Sequence, residues 1–193
     1  YKLRYPAMFD IYKSYCSSRH IDIGKLWLYK GEPNDPWVLN FPTKKHWKFP
    51  SKIEYVVKGL EKFVATYREK GITSIAFPLL GTHNGGLDKD EVLSIMTQYL
   101  SQCDIPVEIY EYDPKATDEL FERFKMTWYS LSDVERKSCG LKTITQIKAV
   151  TAALSDDSVQ SMIDLINHKG VGLKTLECCF KMVMNYKKQQ TIF

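Results

Sequence analysis

The sequence lacks several features that would assign it to a class of protein at once. No apolar run approaches the roughly 20 residues that a helix needs to cross a bilayer, and the segment from Tyr1 to Pro6 has no signal-peptide core. The five cysteines are scattered, with no Cys-x-x-Cys pair and no Cys/His cluster at zinc spacing. These absences predict reduced thiols, no metal site and a cytoplasmic protein. An initiating methionine is also absent, so we expect that a native N-terminal segment is missing.

A strong charge of either sign is lacking as well. The chain carries 27 Lys and Arg against 23 Asp and Glu, a formal net charge of +4. From Tyr129 onward there are nine basic against six acidic residues, so most of the excess lies there. This imbalance indicates a polyanionic partner for that segment, but a solvated helical surface explains it equally well. Hydrophobic residues make up 44% of the 193, enough for a packed core.

Strand and helix patterns alternate over the first 113 residues. A helix is predicted from Pro6 to Cys16, and the capping box Ser51-Lys52-Ile53-Glu54 predicts the start of a second helix. The predicted strands cover 25–29, 37–41, 74–78 and 107–112, and a turn over 31–36 joins the first two. Strands that alternate with amphipathic helices predict a layered α/β fold with a largely parallel sheet.

Strand signals stop after residue 128. Helices are predicted at 116–125, 132–135, 143–154, 158–168 and 173–188. We therefore predict a domain boundary near residue 128, between an α/β domain over 1–128 and a small all-helical module over 129–193.

A glycine-rich turn, Leu79 to Asp88, lies between a predicted strand and a predicted helix that runs to about Leu100. Glycines let the backbone approach a phosphate closely, and a helix start offers unpaired N–H groups. Many such joints carry glycines for turn geometry alone, which also explains Asn84. Asp88, with Glu91 three residues on, has the pattern of a helix N-cap.

A basic, aromatic segment (residues 40–50) follows a strand at the same end of the predicted sheet. Lysines beside a phosphate cradle neutralise a polyanion or supply an amine nucleophile. For Lys45 and Lys48 we expect a phosphate contact or a solvated surface. Trp47 has two interpretations, a platform for a nucleic-acid base or a packing anchor. A lysine and a carboxylate that meet over a phosphate cradle favour glycosyl transfer or hydrolysis.

Segments 40–47 and 78–88 together resemble a macrodomain of the DarG antitoxin type, a relative of the terminal ADP-ribose protein glycohydrolase. The resemblance covers roughly residues 1–113, including the helix entry at residues 5–9. It implies a three-layer α/β/α fold with a mixed, largely parallel sheet that binds ADP-ribose without a metal or a cofactor. It also implies hydrolysis of an N-glycosyl bond between ADP-ribose and a DNA base, opposing a partner ADP-ribosyltransferase toxin. The family's first strand and first ligand loop have no counterpart here, so half of the pocket is expected to be missing.

The resemblance also implies roles for individual residues. Lys44 corresponds to the family's catalytic lysine, which acts at the anomeric carbon of the distal ribose, and Asp88 to the acidic residue that assists proton transfer. An amine and a carboxylate at that carbon stabilise oxocarbenium character and move protons. The residues expected to bind ADP-ribose are Thr43, Pro78, Leu79, Gly81, Thr82, His83, Asn84, Gly85, Gly86 and Leu87. Those expected to contact nucleic acid beside them are Lys45, His46, Trp47 and Lys48.

Residues 167–177 resemble the hairpin of a helix–hairpin–helix DNA-binding module. In such a module a Gly-apolar-Gly turn exposes backbone N–H groups to phosphates. The resemblance implies nucleic-acid contacts by Lys169, Gly170, Gly172 and Lys174. The alternative is a helical hairpin that packs on the α/β domain or grips a protein partner.

These observations lead to one leading hypothesis and two alternatives. The leading hypothesis is an ADP-ribosylglycohydrolase that acts on ADP-ribosylated DNA, while the tail holds DNA or a toxin. The first alternative is a non-catalytic module that binds ADP-ribose or neutralises a toxin. The second is a degenerate macrodomain whose tail alone is functional.

Overall fold

The computed structural model describes residues 1–31, 36–113 and 116–190, with the backbone alone over 185–190. The chain divides into two compact units: an α/β unit, Ala7–Asp113, and a helical unit made of residues 1–6 and 114–193. The predicted turn over 31–36 falls mostly on residues outside the described ranges. Within those ranges, every helix is too short or too polar to cross a membrane.

The described strands of the α/β unit form two separate pairs. β1 (Trp27–Tyr29) and β2 (Val38–Asn40) are antiparallel, whereas β3 (Ile75–Pro78) and β4 (Val107–Tyr110) are parallel, with Ile75 opposite Val107. The parallel pair confirms the prediction for β3 and β4, although the described strands form two small sheets rather than one. The elements are α1 (Pro6–Ser17), β1 (Trp27–Tyr29), β2 (Val38–Asn40), α2 (Ile53–Thr66), β3 (Ile75–Pro78), α3 (Lys89–Leu100) and β4 (Val107–Tyr110).

The core of the α/β unit lies between α2, β3 and α3. Phe63 of α2 is almost fully buried, and its ring meets the ring of Phe77 edge to face at 5.3 Å. Val92 and Met96 of α3 are completely buried in the same cluster. Each such side chain contributes about 1.5–3 kcal/mol of burial free energy. This packing fixes the end of β3 and the start of α3, and with them the loop that joins the two.

The predicted capping box at Ser51 is wrong. α2 begins at Ile53, its N-cap is Lys52, and no side chain caps it. The backbone carbonyl of Lys52 accepts instead from the Tyr55 N–H at 2.9 Å. Ser51 is buried, and its side chain lies beneath the glycine-rich loop. A local pattern of four residues cannot reveal this competing long-range contact.

The helical unit contains four α-helices and one 3₁₀ turn among its described residues. Side chains of Asp118, Ser132 and Thr143 cap the first three helices. The elements are α4 (Glu119–Ser130), α5 (Asp133–Ser138), α6 (Ile144–Leu154), the 3₁₀ turn (Asp164–Asn167) and α7 (Leu173–Gln190).

α4 packs in the helical core rather than in the α/β core. Phe121, Phe124 and Trp128 are buried together with side chains of α6 and α7. The compact units therefore divide at residues 113 and 114, whereas the predicted domain boundary near 128 falls at the end of α4. An amphipathic pattern shows that α4 has an apolar face but not which core receives it.

The helix predicted over 158–168 is wrong. Its first half is a series of turns, and only Asp164–Asn167 forms a short 3₁₀ turn. The Asp156 carboxylate accepts from both the backbone N–H and the hydroxyl of Ser158, at 2.9 and 2.7 Å. Side-chain bonds of this kind compete with helical backbone bonds at a would-be helix start.

Candidate active site

The loop between β3 and α3, residues 79–88, is here called the glycine loop. It closes on itself, because the Leu87 N–H donates to the Gly81 carbonyl at 3.1 Å and the Thr82 hydroxyl donates to the Leu79 carbonyl at 3.1 Å. Gly81 and Gly86 both have φ of 74°, a conformation that L-residues with side chains rarely adopt. The predicted turn is thus a compact ring of backbone at the end of a parallel strand, where ligands of α/β folds bind.

Gly85 is a glycine because no space exists for a side chain there. A Cβ at this position would overlap the Gly81 carbonyl oxygen and Ser51 Oγ. The Gly85 carbonyl accepts from the Ser51 N–H at 2.9 Å. The glycine loop is therefore bound directly to Ser51, the residue that follows the neighbouring loop.

That neighbouring loop, residues 42–50, is here called the lysine loop. Lys44 is half-buried, and its Nζ donates to the backbone carbonyl of Asn84. The fold thus brings together Lys44 and the glycine loop, which lie 40 residues apart in the sequence. The predicted pairing of the two segments is present as a direct contact.

Asp88 caps α3. Its Oδ1 accepts from the backbone N–H of Glu91 at 2.9 Å, while its backbone is extended as in an N-cap. The predicted cap is confirmed. Lys89 forms an ion pair with Glu111, just beyond β4, at the same end of the unit. The carboxylate of Asp88 is exposed where the glycine loop enters α3.

The other predicted ADP-ribose contacts differ in exposure. Pro78, His83, Asn84 and Gly86 are exposed, Gly85 is buried, and Thr43, Leu79, Gly81, Thr82 and Leu87 are half-buried. All of them lie on the lysine loop, at the end of β3 or on the glycine loop. Their roles toward a ligand stay predictions.

The predicted nucleic-acid residues of the lysine loop form one exposed cluster. Trp47 is 76% exposed, which rules out the packing-anchor interpretation. The His46 ring stacks on Trp47 at 5.9 Å, and Lys48 Nζ lies 5.3 Å from the centre of the Trp47 ring. Lys45 Nζ lies 5.8 Å from the centre of the Tyr55 ring. Exposed rings flanked by cations are suited to stacking with nucleic-acid bases near phosphates.

In the helical unit, the predicted hairpin lies between the 3₁₀ turn and α7. Lys169, Gly170, Gly172 and Lys174 are exposed, whereas Val171 is buried in the core. The element before the hairpin is a 3₁₀ turn rather than the helix that a helix–hairpin–helix module has. Nucleic-acid binding by this hairpin stays a prediction.

Sequence reasoning missed two residues that position the site. Phe41, at the head of the lysine loop, occupies the place where a Cβ of Gly59 on α2 would be, and its ring meets Phe77 edge to face at 6.2 Å. Ser51 follows the lysine loop and lies beneath Gly85. The only available signal was a glycine in the middle of a helical pattern, which often marks close packing. Across the described ranges, no group of three or more His, Cys, Asp and Glu side chains is arranged to hold a metal ion.

Comparison with known proteins places this geometry in a family. The family model for the macro domain matches residues 2–96. A DNA ADP-ribosyl glycohydrolase of Mycobacterium tuberculosis is 38% identical over 133 residues, covering 66% of this chain and 38% of that relative. A DNA ADP-ribosyl transferase–DNA ADP-ribosyl glycohydrolase fusion protein of Thermosipho africanus is 34% identical over 126 residues, covering 56% of this chain and 32% of the fusion.

The structural comparison agrees. The solved macrodomain of Mycobacterium tuberculosis DarG matches with a TM-score of 0.55 at 39% identity, covering 58% of this chain and 76% of that structure. The chain spans only about a third of the length of the curated relatives it matches. The predicted α/β/α macrodomain fold class is confirmed. The chain belongs to the macrodomain family, with residues 2–96 as the family segment.

Proposed function

We propose that this protein is a glycohydrolase that releases ADP-ribose from ADP-ribosylated DNA. The observation that carries the proposal is the contact of the Lys44 ammonium with the Asn84 carbonyl of the glycine loop, with Asp88 at the far end of that loop. Of two relatives with 34–38% sequence identity, one is named as a DNA ADP-ribosyl glycohydrolase and the other as a fusion that contains one.

The chemistry follows from the groups that these two loops carry. Backbone N–H groups of the glycine loop attract the diphosphate. Lys44 supplies a cation and a proton donor at the glycosidic bond, and it delivers a proton to the departing base nitrogen. Because Oδ1 of Asp88 is engaged in the cap, Oδ2 is the atom that takes a proton from the attacking water. Water and the glycoside thus become ADP-ribose and unmodified DNA.

The exposed cluster of the lysine loop supports DNA as the carrier of the ADP-ribose. Trp47 and its neighbouring cations offer a stacking surface and phosphate contacts within a few residues of Lys44. We also propose a DNA ADP-ribosyltransferase as the partner, because it makes the substrate and one relative is fused to such an enzyme. Co-purification with a transferase of this class tests the partnership.

The test of the activity is release of ADP-ribose from ADP-ribosylated DNA oligonucleotides. We expect Lys44→Ala to lower the rate by about 10²–10⁴-fold, as for loss of an acid–base group. Lys62→Ala removes an exposed lysine of α2 away from both loops and serves as the matched control. Full activity in Lys44→Ala would refute the mechanism. Tight ADP-ribose binding without turnover by the unmodified protein would favour the non-catalytic alternative.

A further inference from the structure

Ser51 has a buried hydroxyl without a partner at the junction of the two loops. The residue is 5% exposed, and its Oγ makes no hydrogen bond within the described part of the chain. An unpaired buried hydroxyl destabilises a folded protein, so such groups are rare in native structures. Its presence beside the ligand loop of a binding protein calls for a physical reason.

The surroundings of this hydroxyl show where it can bond. The Ser51 N–H already holds the Gly85 carbonyl at 2.9 Å. The hydroxyl and the Gly81 carbonyl oxygen both border the point that a Gly85 Cβ would occupy, so they face the same small space. The Gly81 carbonyl accepts from the Leu87 N–H at 3.1 Å. A carbonyl oxygen has two lone pairs, which leaves room for a second donor.

We propose that Ser51 is a positioning residue for the glycine loop. Its hydroxyl has no partner among the described residues, and a small shift of the glycine loop onto a bound diphosphate brings it to the Gly81 carbonyl. The new bond forms only in the bound state and therefore contributes to ligand affinity rather than to the stability of the free protein. The inference rests on the proposed function, because ADP-ribose is the diphosphate that moves the loop.

Because the Ser51 hydroxyl is buried, it does not contact the ligand directly. Oγ is buried and borders Gly81 and Gly85, so a ligand outside the glycine loop does not reach it. Gly85 permits the arrangement, since any side chain there would fill the space that the hydroxyl needs. Ser51 acts through the glycine loop and does not touch substrate.

The experiment measures two properties of Ser51→Ala: thermal stability without ligand and affinity for ADP-ribose by calorimetry. We expect unchanged or higher stability, because the substitution removes an unpaired polar group, together with affinity weakened by about fivefold to tenfold, as for one lost hydrogen bond. Ser74→Ala, at an exposed serine just before β3, is the matched control and should change neither. A purely structural role for Ser51 would lower stability and affinity together.

Each other result overturns the inference in a recognisable way. Lower stability of ligand-free Ser51→Ala means that the hydroxyl is paired without ligand, through water for example. Unchanged affinity means that the hydroxyl stays unpaired in the complex. If the unmodified protein does not bind ADP-ribose, the proposed function fails and this inference fails with it. If the unmodified protein binds ADP-ribose and Ser51→Ala binds it equally well, the inference alone fails.

Discussion

At the scale of single residues, Asp88 combines a structural duty with a proposed chemical one. Its Oδ1 caps α3 through the Glu91 N–H. Asparagine caps a helix about as well as aspartate but cannot take a proton from water. We therefore expect Asp88→Asn to keep its stability within a few tenths of a kcal/mol, whereas Asp88→Ala loses about 1 kcal/mol. Both substitutions should abolish most ADP-ribose release, measured alongside urea unfolding. Substantial activity in Asp88→Asn would leave Asp88 as a cap only.

The same residue shows how far sequence reasoning reaches at this scale. A cap needs only neighbours within one helical turn, so the pattern from Asp88 to Glu91 was enough to predict it. The local pattern at Ser51 predicted a cap equally well, but that prediction is wrong, because the Ser51 side chain lies under Gly85 instead. Position along the chain does not reveal a contact with a residue more than 30 places away.

At the scale of elements, Gly59 of α2 positions the lysine loop, because a glycine at this place leaves room for the Phe41 ring. A Cβ at Gly59 would overlap the Phe41 ring, which Phe77 also contacts. By helix propensity alone, Gly59→Ala should stabilise by about 0.5–1 kcal/mol. Because the new Cβ would overlap the Phe41 ring, we expect Gly59→Ala to lower the free energy of unfolding by about 1–3 kcal/mol instead, as for an overpacked core. Because Phe41 is three residues from Lys44, turnover should fall as well.

A double substitution checks this coupling. Phe41→Leu shortens the side chain that meets Gly59, so Gly59→Ala combined with Phe41→Leu should be more stable than the sum of the two single effects predicts. Unfolding free energies of the four proteins complete the cycle. Strict additivity would show that the Phe41 ring does not limit the space at Gly59.

Prediction of elements succeeded where local signals were sufficient and failed where side chains compete. α3, α5 and α6 each follow a residue whose side chain caps the helix, and the sequence shows the capping residue types at those positions. The segment 158–168 has helical spacing, but the Asp156 carboxylate holds Ser158 in a turn. The spacing of apolar residues does not show whether such side-chain hydrogen bonds will replace the backbone hydrogen bonds of a helix start.

At the scale of the whole molecule, the two units hold separate cores, and the predicted domain boundary near residue 128 lies at the end of α4. α4 has a clear apolar face, yet only its packing against α6 and α7 assigns it to the helical unit. Likewise, the lysine and glycine loops were paired by resemblance, whereas the contacts that join them, Lys44 with Asn84 and Ser51 with Gly85, exist only in the folded chain. The composition of a short segment does not predict contacts with residues that are distant in the sequence.

Both units contain carboxylates that folding makes more acidic, which predicts how the whole molecule responds to acid. In the α/β unit, hydrogen bonds from the Tyr67 hydroxyl and from Arg68 lower the pKa of Asp104. In the helical unit, the backbone N–H and hydroxyl of Ser132 lower the pKa of Glu135, and the hydroxyl and N–H of Ser158 lower that of Asp156. A pKa lowered by folding means that the unfolded chain binds more protons, so stability increases with pH in this range.

These carboxylates contribute their full stabilisation above their unfolded pKa values, near 4, and the contribution is lost as the pH falls through the lower folded values. We therefore expect the urea midpoint to be flat near neutral pH and to fall below about pH 4. Asp104→Asn should be less stable than the unmodified protein at pH 7, and the difference should shrink as the pH falls through the lowered pKa of Asp104. A stability difference that is constant from pH 7 to pH 2 would show that ionisation of Asp104 does not stabilise the fold. The hydrogen bonds from Tyr67 and Arg68 would then stabilise the fold whether or not Asp104 is charged.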